Sequence, residues 1–181
     1  MALNQVDTLR WQFGLTWRLA EIHLPALTDE ACLWEPAPGS WTVRRSADGK
    51  WRPDWAEPEP DPAPTVTVGW LTWHMIWWWS GLLAAIRNET PTPRQEVFWP
   101  GSAAAVRHRL ETLSSEWTAV LGAFKNEDLA VPFAHPWHEP RPLSYALAWS
   151  NSELMKNVAE IGYALLLYRS SQGGVEPHGQ A

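Results

Sequence analysis

Apolar residues recur at helical spacing in four long stretches, each bounded by capping residues or prolines. The first runs from about Leu3 to Leu24, carries Leu9, Phe13, Leu19 and Ile22, and meets Pro25 at its end. The second spans about Val66 to Asn88 and is closed by Pro91 and Pro93. Ser102 caps the third, which carries Val106, Leu110, Leu113, Trp117 and Leu121 to about Phe124. Ser144 is placed to cap the fourth, which ends near Arg169. Thr28, followed by Asp29 and Glu30, predicts a further short helix. The proline-rich segment from Trp34 to Pro64 cannot be regular helix. Within it, Trp41-Thr-Val-Arg44 and Lys50-Trp-Arg52 flank Asp48-Gly49, the signal of a small hairpin. The pattern predicts an all-α four-helix bundle with a long proline-rich crossover between helices one and two. Residues 1–170 read as a single domain and the polar, Gly-rich residues 171–181 as a disordered tail.

A chain of 181 residues with 45% hydrophobic and 19% charged side chains is globular. A net charge of −6 with no basic cluster argues against a nucleic-acid partner, because phosphate neutralisation needs concentrated Lys and Arg. The single cysteine, Cys32, cannot form an internal disulfide, which favours a cytoplasmic location. Its neighbours are acidic, so a reactive thiolate is not expected. Gly69 to Ile86 is uncharged and 18 residues long, but His74 and tryptophans at its centre fit a buried bundle helix better than a membrane span. Fifteen tryptophans require either a very aromatic core or a large aromatic pocket.

Turning the second helix by about 100° per residue puts His74 on one face with Trp70, Trp77, Trp78, Gly81 and Ala85. Gly81 leaves room one to two turns beyond the imidazole. On the fourth helix Glu153, Asn157 and Glu160 form a narrow polar strip, and the rest is broadly apolar. Ser152 and Lys156 stand one turn apart at the margin of that apolar arc, in line with Tyr145, Trp149 and Tyr163. An i, i+4 pair facing one residue on another helix is the geometry of a three-ligand site.

Three motifs in this order carry a resemblance: Trp34-Glu-Pro-Ala-Pro-Gly-Ser-Trp-Thr-Val-Arg44, Gly69-Trp-Leu-Thr-Trp-His74, and Asn151-Ser-Glu-Leu-Met-Lys-Asn-Val-Ala-Glu-Ile-Gly-Tyr163. Over roughly residues 5 to 169 the chain resembles the DinB-like superfamily, especially its actinobacterial branch. The resemblance implies a four-helix bundle holding a divalent metal, zinc or nickel, on three histidines. Relatives include mycothiol-dependent maleylpyruvate isomerase and S-transferases that use mycothiol or bacillithiol as a low-molecular-weight thiol. By resemblance the first ligand falls on His74, while the helix-four pair, commonly His-x-x-x-His, falls on Ser152 and Lys156. The metal triad is therefore degenerate: a hydroxyl binds such metals poorly and an ammonium repels them.

The expectation is a small-molecule site between helices two and four. His74 and Lys156 are the candidate catalytic groups, and His74 the retained metal-ligand position. Trp70, Trp77, Trp78, Tyr145, Trp149 and Ser152 are the candidate substrate contacts. Lys156 would place its ammonium where the metal is lost and attract an anionic ligand. The plainer alternative lays its stem along the apolar margin with the amine in water beside Glu160. His74 can likewise be read as a buried histidine satisfied by one hydrogen bond. His135 and His138, three apart on a proline-rich loop, read as solvated rather than metal-binding, and His23 reads as a surface residue. Two functions remain open: a small-molecule enzyme related to the thiol S-transferases and isomerases, or an inactive bundle that binds a small molecule or a partner chain. A homodimer is compatible with either, because such bundles expose long helix faces.

Overall fold

Asn4 opens the first helix, its side-chain oxygen accepting from the Asp7 amide, and α1 runs Gln5–His23. A computed structural model of the chain describes residues 4–137 and 139–173. Thr28 caps the short α2 (Asp29–Leu33) through the Ala31 amide. Thr67 caps α3 (Val68–Ile86) through Trp70, and Ser102 caps α4 (Ala103–Ala123) through Ala105. Each cap satisfies an amide that the first helical turn leaves without a partner. The last helix, α5, spans Leu143–Ser171 and begins one residue before Ser144. Ser144 is not its cap. Pro142 stands there instead, and the Leu143 amide donates to the Val131 carbonyl at 2.9 Å, so a small hairpin launches the helix. Of the expected tail, residues 174–181 lie outside the described residues, as does His138.

Between α2 and α3, β1 (Val43–Arg45) pairs antiparallel with β2 (Trp51–Pro53) around Gly49, whose φ of 81° suits a residue without Cβ. A second minimal hairpin, β3 (Pro132–Phe133) with β4 (Arg141–Pro142), precedes α5. The described part of the chain is thus a helical bundle with two short hairpins in its connections. Helix α1 packs on α4 and α5, and α3 packs on the same two, which sets α1 and α3 on opposite corners.

The tryptophans divide between core and site. Trp73, Trp79 and Trp117 are fully buried, and Trp79 meets Phe13, Trp17 and Trp117 at ring separations of 6.1, 6.1 and 6.4 Å. Buried indoles need acceptors. Trp73 Nε1 donates to the Val97 carbonyl at 2.9 Å, and Trp99 Nε1 to Thr72 Oγ1 at 3.0 Å. These bonds tie the loop after α3 back onto that helix. Arg10 similarly joins α1 to the end of α4, donating to the Leu121, Gly122 and Phe124 carbonyls. Cys32 is completely buried beneath α3, and burial pushes its thiol up to about 12, so it stays protonated. No helix among the described residues is long and apolar enough to cross a membrane.

Candidate functional site

His74 lies midway along α3, its imidazole stacked on Trp70 at 5.1 Å with 11° between planes and edge-on to Trp77 at 5.9 Å. Its Nδ1 is buried without a hydrogen-bond partner among the described residues. Burial lowers its pKa from 6.5 to about 4, with Lys156 pushing the same way and Glu153 and Asn157 opposing. The ring is therefore neutral at physiological pH.

The side chains that face His74 from α5 are Glu153 and Asn157, an i, i+4 pair from the polar strip. Asn157 is buried, accepting from Trp78 Nε1 at 3.1 Å and donating to Glu160 at 3.3 Å. Glu153 is mostly buried and pairs with Lys156 Nζ at 2.6 Å. The narrow polar strip of the last helix is thus the α5 wall of the site. The indole N–H of Trp78 needs an acceptor inside the bundle, and that rotates Asn157, and Glu153 one turn before it, toward α3.

His74, Glu153 and Asn157 line a cleft of about 410 Å³. The crossover supplies Trp41 and Trp55 to its opposite wall, and these meet Trp70 of α3, the three rings lying 5.7–6.3 Å apart. Trp70 Nε1 donates to the Asp54 carbonyl at 2.9 Å, and the Arg94 guanidinium covers Trp55 at 4.3 Å. Trp55 Nε1 is buried with no acceptor among the described residues. Glu59, Glu160 and Lys156 stand at the polar edge of the cleft.

Placement of the remaining expected residues is uneven. Trp70 reaches the cleft; Trp77, Trp78 and Trp149 line a second cavity on the other side of His74. Lys156 borders the cleft, half exposed and paired with Glu153 rather than lying beside Glu160 alone. Ser152 is exposed and donates to the Ala148 carbonyl at 3.1 Å; it borders a groove shared with Trp11 and Leu15 of α1. Tyr145 is exposed. One residue of helical rotation separates Ser152 from Glu153, enough to carry it out of the site. The pair one turn apart that meets His74 is therefore Glu153 and Asn157, not Ser152 and Lys156.

His135 is not a freely solvated loop residue: the β3–β4 hairpin carries it to the second cavity, beside Gly81. His23 also packs inward, its ring lying over Gly162 of α5. Neither placement has a signature in local sequence. For Asn157 a signal existed, since it is the one uncharged member of the polar strip Glu153, Asn157 and Glu160.

The model of the DinB superfamily matches residues 12–161. The chain belongs to the DinB superfamily. This DinB protein is also similar to the crystal structure of a conserved protein of locus from Enterococcus faecalis. The two share 14% identity and a TM-score of 0.62, over 92% of this chain and 98% of that one, a likeness of fold alone. No curated protein matches the chain.

The metal expected from the resemblance can be tested against these donors. Among the described residues no group of three or more His, Cys, Asp or Glu side chains could hold a metal ion. At the site itself one imidazole faces a carboxylate neutralised by an ammonium, and an amide whose oxygen is already hydrogen-bonded. That set does not fit a three-histidine zinc or nickel centre.

Proposed function

We propose that this DinB-superfamily protein binds a small molecule in the α3–α5 cleft without using a metal. The observation that carries the reading is the coincidence of two buried, unpartnered polar atoms, His74 Nδ1 and Trp55 Nε1, on residues of one cleft. A buried polar group without a partner costs about 1–3 kcal/mol, and two on one cavity point to a ligand, or ligand-ordered water, that completes them. The aromatic wall of Trp41, Trp55 and Trp70 supplies apolar contact, and Lys156 supplies the positive charge at its edge.

Resemblance to the thiol S-transferases and isomerases makes a low-molecular-weight thiol such as mycothiol the first ligand to test. An imidazole with a pKa of about 4 pulls weakly on a thiol of pKa ~8.5. His74 accordingly orients the ligand by hydrogen bonding, and transfer to an electrophile would depend on the thiol's own ionisation near the Lys156 ammonium. The second reading, an inactive binding bundle, is favoured by the Glu153–Lys156 ion pair, which occupies the charges that catalysis would use.

Calorimetric titration with mycothiol, paired with a dinitrophenyl transfer assay, tests both. Saturable binding lost in His74→Ala and weakened in Trp55→Phe supports the cleft, and turnover decides between enzyme and binder. No binding of mycothiol or its S-conjugates to the folded protein would overturn the thiol assignment.

A further inference from the structure

On the far side of His74 lies a cavity of about 280 Å³, lined by none of the crossover tryptophans and with the exposed Thr92 at its rim. Trp77, Trp78 and Trp149 form its walls, with the Trp78 and Trp149 rings edge-to-face at 5.3 Å and 67°. Gly81 forms its floor: a Cβ there would meet only Pro91 at 3.8 Å and His135 at 3.9 Å, so the missing side chain keeps the space open. Pro91 and Pro136 close it from the loops after α3 and before α5. Trp137 packs on Trp149 at 6.1 Å under the Arg141 guanidinium, holding the His135 loop against the bundle.

Its polar groups are few. His74 and His135 contribute imidazoles, and Glu153 a carboxylate that Lys156 already pairs. Burial disfavours the charged form of both rings, leaving each able to accept or donate one hydrogen bond. A dry apolar cavity of ~150 Å³ holds benzene; this one is nearly twice that size, with aromatic walls between His74 at one end and, beside Gly81 two turns further along α3, His135 at the other.

We propose that this cavity is a binding site for an uncharged, flat bicyclic aromatic molecule, stacked among Trp77, Trp78 and Trp149 with one hydrogen-bonding group toward His135 at the Gly81 end. A carboxylate or sulfonate on the ligand would lose its water without gaining a countercharge, since burial disfavours the imidazolium forms and Lys156 is already paired with Glu153. The site goes beyond the cleft reading and does not depend on it, since the two cavities share only His74 and Glu153.

Isothermal titration with 2-naphthol, and with 2-naphthoate as its charged counterpart, tests the assignment. Expected are one saturable site for 2-naphthol, much weaker binding of 2-naphthoate, and at least a roughly tenfold loss of naphthol affinity in Gly81→Leu. Thr92→Trp changes only an exposed rim residue and should obstruct the mouth equally, which keeps the test valid if Gly81→Leu fails to fold. Trp41→Phe alters the aromatic wall of the cleft at a residue that packs on Trp55 and Trp70 and does not line the cavity, and should leave naphthol binding intact, so failure at one site is read separately from the other. Absence of saturable binding, or affinity unchanged in both folded cavity variants, would overturn the proposal.

Discussion

The indole nitrogen of Trp78 on α3 donates to Oδ1 of Asn157 on α5 at 3.1 Å, inside the bundle and away from water. This bond fixes the rotation of α5 against α3 and so decides which of its residues meet His74. Asn157→Leu should leave the indole without an acceptor and lower stability by about 1–3 kcal/mol. Adding Trp78→Phe removes the orphaned donor, so the double variant should lose less than the sum of the single losses. Urea denaturation of the four proteins measures the coupling.

Glycines in this bundle fall into two kinds. At Gly69 a Cβ would sit 2.9 Å from both the Cys32 carbonyl and Val43 Cγ2, where α3 crosses α2 and β1. Gly69→Ala should therefore destabilise by about 1–3 kcal/mol, since backbone must move. Gly14, within α1, has nothing within 4 Å of its Cβ position. Gly14→Ala should stabilise by roughly 0.5–1 kcal/mol through helix propensity. Opposite shifts in thermal midpoint would confirm the distinction.

Burial lowers the His74 pKa from 6.5 to about 4, so between those values the unfolded chain holds more protons than the folded one. Stability attributable to this group is complete above about pH 6.5, falls as the pH drops toward 4, and levels off below. The shift corresponds to about 3 kcal/mol across the window. His135 contributes with the same sign. The difference between wild type and His74→Phe in urea midpoints at pH 4.5 and 7 isolates His74, and the variant should show the flatter profile.

Elemental analysis of protein purified without a metal-affinity tag should find no stoichiometric zinc or nickel. Titration with either metal should show no saturable uptake that His74→Ala abolishes. Stoichiometric metal, lost in that variant, would contradict the donor set described above.

The helices were legible in the chain because capping and periodicity are local. Thr28 and Ser102 cap as their spacing predicts, and the Asp48-Gly49 turn builds the expected hairpin. His74 could be singled out as a lone imidazole on an apolar helix, and the family resemblance extends over most of the bundle. What the sequence alone could not decide is the azimuth of α5. Its apolar arc is broad, so the weak period pointed to Ser152/Lys156, about 100° from the Glu153/Asn157 pair that meets His74. Only a partner on another helix, the Trp78 indole, selects between them. Trp55 and His135 enter through proline-rich connections whose paths are set by packing against α3, not by any repeat along the chain. Local chemistry determined which segments are helices, and burial of polar groups across those helices decided where the cavities lie.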